Sequence, residues 1–101
     1  MQDRVPQEEH VAEEKLNWLR LATQFSSDGD LKGMRACAQE VERLKAGDVD
    51  AMAVNAEAAL YSGRVDEAEE LAAQVLRIQP RHPRARMVKA GLAALEFRLD
   101  E

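Results

Sequence analysis

Apolar residues recur along this chain at intervals of three and four rather than two, the signature of amphipathic helices. Between about Pro6 and Ser27, the positions Val11, Lys15, Trp18, Ala22 and Phe25 fall at i, i+4, i+7, i+11 and i+14 and form one stripe that needs a cover. Turn-forming clusters punctuate the pattern at Ser26-Ser27-Asp28-Gly29-Asp30, Ala46-Gly47-Asp48, Ser62-Gly63-Arg64 and Pro80-Arg81-His82-Pro83. They predict a second helix over about Leu31 to Lys45, with Asp28 or Asp30 as its cap and Gly47 just past its end. A third helix is expected over about Val49 to Ser62 behind an Asp48 cap. A fourth, about Val65 to Ile78, opens with Asp66, Glu67, Glu69 and Glu70, where the helix dipole favours acids, and stops before Pro80. The last spans about Pro83 to Leu99. The expectation is an all-α chain of about five helices.

The helices read as pairs, and the pairs repeat. Gly29 and Gly63 are 34 residues apart and share a turn-then-apolar setting, Asp-Gly-Asp-Leu against Ser-Gly-Arg-Val. The frame divides the chain into an acidic extension over residues 1–14, repeats over 15–48 and 49–82, and a covering half repeat over 83–101. Within the last helix Val88, Leu92 and Leu95 are expected to pack inward, with Arg84, Lys89 and Arg98 more exposed. Ala22 and Ala56 are expected where the two helices of a pair come close. The third unit begins at Pro83 without a second helix, which suggests marginal stability or a stabilising partner.

In this frame the chain resembles the tetratricopeptide repeat (TPR) family. Trp18, Leu21, Ala22 and Phe25 match the family's first-helix motif. Gly63, Ala68, Leu71, Val75 and Pro80 match its second half. Met34 stands where a small residue is usual, Ala38 and Ala72 where an aromatic is common, and Asn55 where Leu21 sits one repeat earlier. The resemblance implies antiparallel helix pairs stacked in a right-handed array, with the first helix of each pair lining a concave surface. Carried over by position, that surface would present Leu16, Leu19, Thr23 and Ser26, then Asp50, Ala53, Glu57 and Leu60, then Arg84 and Met87. Some of these positions adjoin the core stripe and could belong to it instead.

Composition narrows the function classes. Of the 101 residues 17 are Ala and only 4% are aromatic, so each core side chain gains little and helices must approach closely. Charged residues make up 33%, and no apolar run is long enough to span a bilayer, so membrane insertion is not expected. The opening residues lack the apolar stretch of a secretory signal, and a cytoplasmic setting is the default expectation. One cysteine, Cys37, allows no internal disulfide and has no local base to activate it. His10 and His82 are expected on the surface, without metal-ligand spacing. No phosphate-binding loop or catalytic motif is present, so no enzyme activity, cofactor or metal is expected. The net charge of -5 averages an acidic start, -4 over residues 1–14, and a basic stretch, +5 from Arg77 to Lys89. With no aromatic interleaved in that stretch, nucleic acid is a poor fit.

The function implied is a non-enzymatic protein-interaction module. A peptide or amphipathic helix would lie in the groove, apolar residues supplying affinity while Asp50, Glu57 and Arg84 fix orientation. Some TPR proteins clamp a terminal carboxylate with Lys and Asn. The corresponding positions here hold Leu19, Thr23 and Val54, which disfavours that use. Two alternatives stay open: a small chaperone of the type III secretion class, and an oligomerisation or scaffold segment, including a homodimer, in which one copy covers another.

Overall fold

The computed structural model describes residues 5–100, with side-chain surroundings for residues 9–97. The first four residues of the acidic extension and the side chain of Arg98 lie outside these. Five helices follow in order, α1 (Val5–Asp28), α2 (Leu31–Leu44), α3 (Val49–Tyr61), α4 (Val65–Ile78) and α5 (Pro83–Asp100). No described helix is long and apolar enough to cross a membrane.

The turns explain the boundaries. Gly29 and Gly63 both take positive φ, 75° and 81°, which residues with a Cβ adopt only at a cost. After each, the next amide returns to a carbonyl inside the finished helix, Asp30 N–H to Phe25 O and Arg64 N–H to Ala59 O. These bonds satisfy carbonyls that helix ends leave free. Of the two candidate caps for α2, Asp30 serves, its carboxylate accepting from Gly33 N–H at 2.8 Å. Asp48 caps α3 through the amides of Asp50 and Ala51.

Consecutive helices pack on each other, and α3 also touches both α1 and α5. The odd-numbered helices therefore form one layer and the even-numbered helices the other. The core is built from small side chains, with Ala22, Ala38, Ala51, Ala56, Ala58, Ala59, Ala68 and Ala85 all fully buried. At the position where a small residue was expected, Met34 is fully buried instead. Gly33 beside it supplies the close approach, since a Cβ there would sit 2.6 Å from the Phe25 ring.

Some sequence expectations need correction. Val11 belongs to the predicted buried stripe but is 44% exposed, because α1 begins well before α2 can cover it. Leu21 matches a family core position, yet it too is exposed, since α1 is the first helix of the array and no described element lies on its outer side. In α5, Val88 is buried and Leu92 half-buried, whereas Leu95 is exposed. Arg84 is half-buried and ion-paired rather than free. His82 is buried, not on the surface. Cys37 is buried too, and burial, with the charges of Asp30 and Glu40, pushes its thiol pKa up. It packs as a small apolar group, not as a nucleophile.

Candidate protein-interaction groove

Two polar clusters tie the odd-numbered helices together along their shared face. The first starts from Lys15 on α1, whose Nζ donates to Asp48 at 2.8 Å and lies 2.9 Å from Asp50 Oδ2. Asp50 Oδ1 lies 2.6 Å from His82 Nε2. The Ala85 amide donates to His82 Nδ1 at 3.4 Å, so Nε2 carries the proton given to Asp50. His82 thus caps α5 as Asp48 caps α3, 34 residues earlier. One cluster joins the starts of α3 and α5 to the middle of α1.

This cluster sets a pH dependence. Burial alone would raise the Asp50 pKa, but hydrogen bonds from Lys15 and His82 outweigh it and hold the carboxyl below its usual range. Burial likewise disfavours the Lys15 cation, and hydrogen bonds to Asp48 and Asp50 more than offset this, leaving its pKa raised. A depressed carboxyl pKa contributes stability above the unfolded value, about 3.9, and loses it as pH falls through the lower folded value. A raised lysine pKa contributes below about 10.4 and is lost as pH rises through the folded value. Asp50→Asn is therefore expected to melt below wild type at neutral pH, with the difference shrinking below about pH 4. Thermal melts of both chains from acid to neutral pH check this.

The second cluster is centred on Glu57 of α3, which is only 3% exposed. One carboxylate oxygen accepts from Ser26 Oγ at 2.7 Å and from Tyr61 OH at 3.0 Å. The other accepts from Arg84 of α5 at 2.5 Å. A second nitrogen of Arg84 donates to Thr23 Oγ1 at 2.9 Å, closing a link between α5 and α1. A buried carboxylate with this many donors has its lone pairs satisfied.

Around these clusters the face is partly apolar. Leu16, Tyr61 and Met87 are exposed, and Leu19 is half-buried. Two depressions adjoin at Pro83 and Arg84. One, of about 260 Å³, is lined also by Leu19, Asp50, Gln79 and His82. The other, of about 440 Å³, is lined also by Thr23, Ser26, Glu57, Tyr61 and Met87. Leu19, Thr23, Asp50, Glu57, Arg84 and Met87 from the predicted set thus line these depressions, and Leu16, exposed seven residues before Thr23, shares its face of α1. Two others do not open onto it. Ala53 is fully buried with Val75 and Ala85, and Leu60 packs toward Gly91 and the Ala56–Val88 cluster.

Sequence reasoning missed Lys15, Tyr61 and His82 as parts of this face. Lys15 was counted within an apolar stripe and His82 as a loop residue. The 34-residue separation of Asp48 and His82, each immediately before a helix, was a readable sign of equivalent capping roles.

The sequence profile of the tetratricopeptide repeat family matches residues 28–92. No curated protein and no solved structure matches the chain significantly. The profile covers more than half the chain and spans α2, α3, α4 and most of α5, so the protein belongs to the tetratricopeptide repeat family, a family of protein–protein interaction modules.

Proposed function

We propose that the face formed by α1, α3 and α5 is a non-enzymatic docking groove for an apolar-anchored peptide or amphipathic helix of a partner protein. The observation that carries this is the exposure of Tyr61 and Met87 at two adjoining depressions, with Leu16 exposed on the same face of α1 as Thr23. Apolar side chains of the ligand would fill the depressions and be withdrawn from water there. Asp50, Glu57 and Arg84, expected from sequence to orient the ligand, are engaged with Lys15, His82, Ser26, Tyr61 and one another. Their first role is to hold the three helices at fixed spacing, so the groove exists before the ligand arrives. Preformed grooves bind more tightly because less ordering accompanies binding. Arg84, still partly accessible, can add a contact to a ligand carboxylate or carbonyl. The repeat frame of 15–48 and 49–82 fits this reading, since it places Asp48 and His82 at the same joint of successive repeats.

A library of displayed helical and extended peptides tests the proposal. Selected peptides are expected to lose at least about tenfold in affinity on Leu16→Glu and on Met87→Glu, a loss of about 1.4 kcal/mol each. Both side chains are substantially exposed, so the helical circular dichroism should not change. Peptides that bind both variants as tightly as wild type would place the docking surface elsewhere.

A further inference from the structure

A second surface, distinct from the groove, is complementary in charge to an exposed part of the same chain. Between α4 and α5 runs a channel of about 410 Å³ with an apolar floor of Ala72, Ala73, Leu76, Leu92 and Ala93. Its ends differ in charge. Arg77 and Lys89 flank one end, where Arg86 continues the basic edge beside Leu76 and Ala93, and Glu69 and Glu96 flank the other. None of Arg77, Arg86 and Lys89 has an ion-pair partner among the described residues.

The complementary element is the start of α1. Its ion pair nearest the chain start that crosses to α2 is Glu14 with Arg43, and residues 9–13 before it are all exposed. This overhang carries Glu9 and Glu13 with Val11 and Ala12, and among the described residues no ion pair involves either acid. Because successive helices are antiparallel, α1 and α5 run the same way. The start of α1 and the basic end of the channel, at the last turn of α4 and the first turns of α5, therefore lie along the same edge of the array, at its first and last helices.

We propose that two copies of this chain associate by docking the acidic overhang of α1 from each into the basic end of the α4–α5 channel of the other. Since donor and acceptor surfaces lie along one edge at opposite ends of the array, a two-fold axis across the middle of that edge brings each α1 overhang to the other copy's channel and makes both contacts at once. Such a contact closes into a dimer rather than propagating into a filament. Ala12 meets the apolar floor, while Glu9 and Glu13, one helical turn apart on the flank beside it, face Arg77, Arg86 and Lys89. The concave face of α1, α3 and α5 takes no part in this contact, so peptide binding and dimerisation are separable.

Two charge-reversed chains provide the test. One carries Glu9→Lys with Glu13→Lys, the other Arg77→Glu with Lys89→Glu. Sedimentation at low ionic strength is expected to give a dimer for wild type, weakened by added salt as screening shortens the reach of the charges. Each reversed chain alone is expected to lose at least about 30-fold in dimer affinity. An equimolar mixture of the two should recover the dimer, since both of its contacts then pair opposite charges. Helical circular dichroism of each chain verifies folding, and Ala12→Lys, at an exposed site beside the two acids, supplies an independent variant that should also be monomeric. A wild-type chain that stays monomeric at about 0.5 mM overturns the proposal. So does a mixture that remains monomeric, or reversed chains that dimerise as wild type does.

Discussion

Replacing Glu57 with Ala is expected to lower the unfolding free energy by about 3 kcal/mol, a large share of what a domain of this size possesses. The substitution removes the acceptor shared by Ser26, Tyr61 and Arg84, three donors from α1, α3 and α5. Arg84, 20% exposed, is left with Thr23 and no carboxylate. A cation stranded in a partly desolvated site costs more than its ion pair contributed, because the desolvation remains after the partner is gone. The pair of substitutions Glu57→Leu with Arg84→Met, which withdraws both charges, should therefore recover most of the loss. Urea unfolding followed by circular dichroism measures both. A loss below about 1 kcal/mol for Glu57→Ala would mean that the cluster decorates the helices rather than holding them.

Met34→Ala should cost a similar amount, about 3 to 4 kcal/mol, for a different reason. Met34 is fully buried in the cluster of Ala22, Cys37, Ala38, Val41, Ala51, Val54 and Ala58, with Trp18, Leu19, Phe25 and Leu31 packed around it. It is the largest of the fully buried side chains. Its buried neighbours are mostly alanines, which have no side-chain freedom to move into the space left behind. A cavity that cannot collapse adds its own penalty to the lost transfer energy. Met34→Leu, which nearly conserves volume, should cost less than about 1.5 kcal/mol, and unfolding of the two variants under one set of conditions gives the comparison.

The contrast between these sites explains what could be read from the chain. Helix boundaries followed from local chemistry. Asp48 as a cap and α4 over Val65–Ile78 needed only a turn residue beside a 3.6-residue pattern, and both agree with the structure. The fold class followed from the 34-residue recurrence of Gly29 and Gly63, because like local turns at that spacing stack like units. The polar face was harder. Its contacts join Lys15 to Asp48, Ser26 to Glu57 and Asp50 to His82, separations of 33, 31 and 32 residues. No local periodicity reveals such pairs, yet each separation lies just under one repeat, as expected for neighbouring odd-numbered helices. Thr23 and Arg84, 61 residues apart, make the same step twice. Opposite charges or hydrogen-bonding partners spaced slightly below the repeat length were therefore the signal that could have found the cluster. Ala53 and Leu60 could not be assigned by spacing, because on an alanine-rich helix the core stripe widens into the groove stripe. Burial decides between them only once α4 and α5 are in place.

The most direct test of the groove is a residue-resolved map of amide chemical shifts for the protein titrated with a display-selected peptide. The changes are expected on α1, α3 and α5 around Leu16, Thr23, Tyr61, Arg84 and Met87, with α2 and the channel-facing residues of α4 unmoved. Changes centred on α2 or α4, with that face silent, would contradict it.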